Sequence, residues 1–266
     1  MTEQSAPPVE ALDRDVAVTI DDDAHIAIVE VRRGPHNFFD LDVLTRLAEA
    51  TEELAQGDTR AVVLCAEGKN FCAGADFSGR DGELRREGAP HIYDMAIRLF
   101  EQPLPIVAAV QGAAIGGGLG LAMAADFRVA GPSSKLAANF SLLGFHQGFA
   151  LSVTLPLVVG HQAALDLLYT GRRIDGETAH RIGLCDDLVA DSEIRQRAID
   201  RATDIAAAAP LATRSIRQTM RGPLVEEARA AMVHERAEQE RLQQTADFAE
   251  GIAAVGARRP ATFVGR

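Results

Sequence analysis

Apolar and polar positions change period along the chain, and those changes divide it into elements. "VAVTI" and "HIAIVEV" read as two strands joined by the acidic turn Asp21–Asp23, a hairpin pattern. Leu41, Leu44, Leu47, Ala48 and Leu54 then recur at helical spacing until Gly57 ends the run. "AVVLCAEG" is a continuous apolar run of strand length, as a parallel strand covered on both faces should be. Residues 91–101 predict a helix, "PIVAAVQG" another buried strand, 116–125 a helix and "DFRVAG" a short strand. Strands alternating with helices imply crossover units and a largely parallel sheet. After about residue 190 the strand signal stops. "SEIRQRAIDRATDIAAAA", "LATRSIRQTM" and the stretch 224–257 all predict helix, so an α/β core precedes a helical C-terminal section. "VHERAEQERLQQ" mixes charges in the manner of a solvated face and is assigned no chemistry. Residues 1–14, polar and Pro-containing, predict a mobile tail.

Composition narrows the class of function. The 266 residues, 47% hydrophobic and 24% charged, are those of an ordinary globular protein with a substantial core. A formal charge of -11 argues against a general nucleic-acid binder. Cys65, Cys72 and Cys185 lack metal-ligand spacing and sit in apolar runs, which points to a reduced, cytoplasmic setting and no metal. No secretory signal opens the chain, and no apolar stretch approaches the ~20 residues of a membrane span.

"VQGAAIGGGLGLAMAAD", residues 110–126, sets three glycines between a strand and a helix. A nucleotide phosphate loop is the first explanation to test. It fails, because the G-x-G-x-x-G spacing is absent and no Gly-Lys-Ser/Thr follows. Asp126 also lies too close to serve a ribose about 20 residues on. An oxyanion site fits better. Amides at a helix start lack partners within the helix and point along its positive end, and a glycine lets an oxygen approach them. A second donor would come from "FCAGAD", residues 71–76, just beyond the strand "AVVLCAEG". Both motifs follow buried strands, at the carboxyl edge where open α/β sheets place their sites.

Here the residues carry a family resemblance. "FCAGAD", "PLPIVAAVQGAAIGGGLGLAMAADFRVAG", "LLYTGRRIDGETAHRIGLCDDLV" and "FAEGIAAVGARRPATF", in that order, resemble the enoyl-CoA hydratase/isomerase (crotonase) superfamily. The resemblance implies an α/β fold built as a spiral of ββα units over residues 15–195. It implies a helical C-terminal region over residues 196–266 that serves oligomerisation and as a lid, and a homotrimer or dimer of trimers. The implied ligand is an acyl-CoA thioester, with coenzyme A as part of the substrate and no separate cofactor. The family's oxyanion donors fall on the backbone amides of Ala75 and Gly117, so a thioester carbonyl is expected to touch Gly117. Substrate contacts fall on Ala73, Asp76, Phe77, Gly116 and Phe140, and Arg258 and Arg259 are the candidate pair for the CoA phosphates.

One departure bears on the chemistry. Hydratases of the family use two glutamates, whose places here fall on Gly120 and Phe140, and neither residue transfers a proton. Ordinary hydratase activity is therefore expected to be weak. His146 is the first alternative acid/base by its intrinsic pKa, with a histidine that merely holds its loop as the competing reading. Asn139, Ser141 and Gln147 either orient a water or serve a turn. Asp126 is expected to close a helix or strand turn. His91, Tyr93 and Asp94 reach the acyl group only if the segment 77–92 folds inward, and that segment reads equally as a loop beside the site or a solvated loop. Arg32 and Arg33 form a second basic pair. Two functions remain open: an enzyme on acyl-CoA thioesters, or an acyl-CoA binding protein of the same fold without chemistry.

Overall fold

The computed structural model describes residues 9–11, 15–75 and 90–266. Strands β2 (Val16–Asp21) and β3 (Ile26–Val31) form the expected antiparallel hairpin. Helix α1 (Leu41–Leu54) follows, with the Asp40 carboxylate accepting from the Val43 N–H at 3.0 Å as its N-cap. Then come β4 (Ala61–Ala66), α2 (Ile92–Phe100) and β5 (Ile106–Val110). Next lie β6 (Ala113–Ile115), α3 (Gly117–Ala124), β7 (Phe127–Ala130) and β8 (Lys135–Ala137). Beyond a 3-10 turn at Asn139–Leu143 run α4 (Leu151–Val159), α5 (His161–Thr170), β9 (Ile174–Asp175), α6 (Gly176–Arg181) and β10 (Asp187–Leu188). Helices α7 (Ile194–Ala206), α8 (Pro210–Leu242) and α9 (Ala246–Gly256) complete the described chain.

The strand order β2-β3-β4-β5-β7-β10 is parallel from β3 onward, as strand–helix alternation implies. Strand β4 explains why its sequence is apolar throughout. Val62, Leu64 and Ala66 enter the core beneath α1 and α2, while Ala61, Val63 and Cys65 pack on the opposite side. That second side is covered by α7, whose Ile194, Ala198, Ala202 and Ala206 recur every four residues. Small side chains there let the helix lie close on the sheet.

Three differences from the sequence reading have physical causes. Val9–Ala11, within the expected tail, forms β1 antiparallel to β2, completing the backbone hydrogen bonds of an otherwise open sheet edge. Strands β6, β8 and β9 make a separate three-stranded sheet. At two or three residues each, they are too short for a periodic signal. The third difference lies in the C-terminal helices. Helix α8 runs 33 residues through Pro223, and the expected helix 224–257 breaks instead at residues 243–245.

Proline removes a helical hydrogen bond and crowds the preceding turn. Tertiary contacts hold α8 on both sides of it. Before it, Arg217 and Arg221 pair with Asp126 at 3.0 and 3.2 Å, and Arg221 also donates to the Ala124 carbonyl at 2.7 Å. After it, Leu224, Ala228 and Met232 are buried at intervals of four residues. Asp126 does serve a turn, since it accepts from the Ile106 N–H at 2.8 Å, but it also anchors this helix.

Candidate active site

The two glycine motifs meet side by side. Cys72 forms a parallel bridge with Ala114, through Cys72 N–H to the Ala113 carbonyl at 2.8 Å and Ile115 N–H to the Cys72 carbonyl at 3.0 Å. Ala75 and Gly117 each lie three residues beyond that bridged pair. Ala75 is bridged on its other side to Phe39, whose N–H donates to the Gly74 carbonyl at 3.1 Å. Among the described residues, neither the Ala75 nor the Gly117 N–H donates a hydrogen bond. Ala73 is different, since its N–H is committed to the His36 carbonyl at 3.0 Å. Gly117 opens α3, so its amide belongs to the unpaired first turn at the positive end of the helix.

The three glycines have three separate causes. Gly116 sits at φ 58°, a left-handed conformation that L side chains rarely adopt, with its N–H on the Ala137 carbonyl at 2.8 Å. A Cβ on Gly118 would stand 2.1 Å from the Cys72 carbonyl oxygen. At Gly117 the sequence reading needs correction. The space a side chain would take is filled by the Phe39 ring, whose Cζ lies 2.6 Å from the Cβ position. The missing side chain there thus has a cause inside the protein, while the N–H stays unengaged among the described residues.

Phe149 similarly occupies the side of Gly120, with its Cβ 2.4 Å and Cγ 2.7 Å from where a Cβ at residue 120 would sit. Phe149 packs edge-on to Phe39 at 5.5 Å and near Phe100 at 6.4 Å. Phe140 stands beside Gly116, its Cζ 3.8 Å from that glycine's Cβ position, and stacks on Phe145 at 6.4 Å. Phe145 continues to Phe248 at 5.0 Å. An aromatic wall therefore borders the amide pair.

Phe149 and Ala150 both adopt left-handed backbone, at φ 60° and 59°. Neither has the glycine or asparagine that usually marks such positions, so the sequence gives no sign of this bend. Its partner is Glu235 on α8, which is wholly buried. The carboxylate accepts from the Ala150 N–H at 2.8 Å and the Ser152 N–H at 3.0 Å, at the start of α4. Burial pushes the Glu235 carboxyl up from its ordinary pKa, against the opposing pull of the Ser152 and Ala150 bonds. The charged stretch read as a solvated face therefore points a carboxylate inward. A usable signal existed: Leu224, Ala228 and Met232 mark a buried stripe, and Glu235 and Gln239 continue it.

Most of the remaining polar candidates are engaged. His146 Nδ1 lies 2.7 Å from the Gln147 carbonyl, and its ring meets His234 edge-on at 5.8 Å. The Tyr93 hydroxyl donates to Gln239 Oε1 at 2.8 Å, and Gln239 in turn donates to the His146 carbonyl at 3.0 Å. His91 and Asp94 form a reciprocal cap on α2. Asn139 Oδ1 stands 3.3 Å from the Gly116 Cβ position, and Gln147 donates to Ser152 at 3.1 Å. Ser141 Oγ is buried with no hydrogen-bond partner among the described residues. Burial raises the Cys72 thiol to about 12, so this cysteine beside the amides is no nucleophile. Asp76 and Phe77, with most of the segment 77–92, lie outside the described residues.

The basic candidates are largely spoken for. Arg32 pairs with Glu30 at 2.7 Å, and Arg33 pairs with Asp15 and Asp40 at 3.3 and 2.7 Å. Arg259 grips Glu250 with both guanidinium nitrogens at 2.6 and 2.8 Å, while Arg258, exposed, turns through φ 54°. Glu250 also accepts from the Thr262 N–H at 2.7 Å, and Asp247 accepts from Val264 and Gly265, folding the C-terminal residues onto α9. Arg259, then Thr262, holds the Glu250 carboxyl down at about 2. A depressed carboxylate contributes above its unfolded pKa of about 4.3 and loses that contribution as pH falls through its folded value. Amide exchange at Thr262, corrected for its intrinsic pH dependence, is expected to accelerate on acidification from pH 4 toward pH 2. Unchanged protection across that window would disprove the clasp.

Comparison with known proteins agrees with this architecture. The enoyl-CoA hydratase/isomerase family matches residues 21–266. A probable enoyl-CoA hydratase, EchA14 of Mycobacterium tuberculosis, is 36% identical over 204 residues, covering 75% of this chain and 79% of that protein. A putative enoyl-CoA hydratase/isomerase, YngF of Bacillus subtilis, is 30% identical over 247 residues, covering 91% and 95%. Among solved structures, an enoyl-CoA hydratase/isomerase from Pseudoalteromonas atlantica superposes with a TM-score of 0.85 at 28% identity, covering 94% of this chain and 100% of that one. The α/β core with its helical C-terminal region is thus a crotonase-like fold, and the chain belongs to the enoyl-CoA hydratase/isomerase family.

Proposed function

We propose that the chain binds an acyl-CoA thioester and polarises its carbonyl with the amides of Ala75 and Gly117, favouring an enolate. The observation that carries this reading is the pair of amides, unengaged among the described residues, on segments joined by the Cys72–Ala114 bridge. Two fixed donors stabilise an oxyanion more than the ground-state carbonyl, which is the requirement for rate enhancement. No cofactor beyond the substrate's own CoA enters the proposal.

Gly120 and Phe140 stand where hydratases of the family carry glutamates, so enolate formation would proceed without those carboxylates. His146 is the nearest alternative acid/base in the sequence, although its Nδ1 faces its neighbour's carbonyl. The apolar wall of Phe39, Phe140 and Phe149 favours a second reading, an acyl-CoA binding protein that lacks turnover. Self-association as a homotrimer or dimer of trimers is supported by apolar side chains exposed on the C-terminal helices, including Leu211, Ile216, Met220 and Val233. A cytoplasmic location completes the proposal.

The amide pair is tested by calorimetric titration of butyryl-CoA against its S-butyl thioether, which lacks the carbonyl. Two neutral hydrogen bonds at ~0.5–1.5 kcal/mol each give the thioester an expected advantage of about 5- to 150-fold. Equal affinity for both would remove the amide pair from the site. Turnover in hydration, isomerisation and thioester hydrolysis assays then separates the enzyme from the binding protein.

A further inference from the structure

Glu235 has no role in the amide pair, yet it is unusual for its position. It is 0% exposed, and among the described residues no arginine or lysine pairs with it. A buried carboxylate without an arginine or lysine partner persists only where fixed dipoles and weaker electrostatic partners replace its lost hydration. Here they are the Ala150 and Ser152 amides at the start of α4, the Ser152 side chain, and the His146 ring acting through space.

Those amides lie within the left-handed bend, at Ala150, and two residues beyond it, at Ser152. Phe149 and Ala150 would relax toward ordinary backbone if nothing held them, because their side chains crowd the backbone at positive φ. The bend presses the Phe149 Cβ against Gly120 and its ring against Phe39. Phe39 covers Gly117 on one face and bridges Ala75 by its backbone. The contacts thus run from Glu235 through the bend and two aromatic rings to both candidate oxyanion donors.

We propose that Glu235 is a positioning residue for the acyl site: its carboxylate holds the Phe149–Ala150 bend, which seats the aromatic wall against Gly120 and Gly117. This rests on the acyl-thioester reading of the Ala75 and Gly117 amides. It assigns Glu235 no contact with substrate and no proton transfer. Tyr93 and Gln239 buttress the same loop at the preceding residue, since a Cβ on Gly148 would meet the Tyr93 hydroxyl at 1.8 Å and Gln239 Nε2 at 2.5 Å.

The test compares wild type, Glu235→Gln and Glu235→Ala by titration with butyryl-CoA and with CoA alone, together with amide exchange over residues 148–153. Glu235→Ala is expected to weaken butyryl-CoA binding about 10-fold, with CoA affinity held within about twofold and faster exchange at Ala150 and Ser152. Glu235→Gln keeps one acceptor oxygen and is expected to lose about threefold, a partial rescue that carries the test if the Ala variant does not fold. Wild-type acyl affinity in Glu235→Gln, or an equal loss for CoA and butyryl-CoA, overturns this proposal alone. A wild type that binds butyryl-CoA no more tightly than CoA overturns the site reading, and the proposal with it.

Discussion

Crotonyl-CoA hydration by the wild-type chain is expected to run about 10²–10⁴-fold below that of a relative with both glutamates, the usual contribution of general acid–base catalysis. Hydration needs a base on the water and an acid for the α-carbon, and an oxyanion hole supplies neither. On the register that the sequence resemblance implies, the places for both carboxylates fall on Gly120 and Phe140, and both residues are buried among apolar side chains. The check is crotonyl-CoA hydration followed by loss of enoyl absorbance, beside a relative with both carboxylates. A rate within tenfold of that relative would show that another group, with His146 the first to test, has taken over proton transfer.

Restoring the carboxylates alone is not expected to restore the reaction. A Cβ at residue 120 would lie 2.4 Å from Phe149 Cβ, a distance that real Cβ atoms do not tolerate. That conflict is with the first side-chain atom, so trimming Phe149 to alanine leaves it in place. Phe149→Gly removes the atom and suits φ 60°. The triple variant G120E/F140E/F149G is therefore expected to exceed the double variant G120E/F140E in hydration, read on folded protein. Equal rates would place the obstacle elsewhere than Phe149.

Much of this was legible in the chain, for identifiable reasons. Helix α1 announced itself because it buries one face and so imposes a period. The hairpin did so because an acidic turn separates two apolar runs, and β4 and β5 because burial on both faces leaves each a continuous apolar run. The glycine motifs stood out as a candidate site because clustered glycine beside a buried strand is costly without a use, and the structure brings the two motifs together through the Cys72–Ala114 bridge. The cause at Gly117 was not legible, since it depends on Phe39, some 78 residues earlier in the chain. The Phe149–Ala150 bend was silent for a different reason: tertiary contacts, and not local residue preference, hold it. Glu235 was misread because composition was weighed ahead of position. Its spacing from Met232 continues the buried stripe, and a charge on that stripe is the exception that marks a specific partner.

Gly118→Ala is expected to be the most damaging single-methyl change in the glycine triplet, costing about 3 kcal/mol or more of stability. The added Cβ would stand 2.1 Å from the Cys72 carbonyl oxygen and 2.8 Å from its carbon. Both are backbone atoms, and that oxygen accepts from Ile115 N–H at 3.0 Å, so it cannot retreat without breaking the bridge to Ala114. Separating those segments also separates Ala75 from Gly117, and acyl-CoA binding should disappear with the bridge. Gly117→Ala meets only the tip of a phenyl ring, which can tilt, and is expected to cost less. Gly256→Ala is the matched control, since nothing lies within 4 Å of its new methyl and the substitution, at the last residue of its helix, should leave stability unchanged or slightly raised. Denaturant unfolding of the three variants, with butyryl-CoA titration of each, gives the ranking. A Gly118→Ala protein as stable as wild type, with its acyl affinity intact, would mean that the two motifs are not held together by this contact.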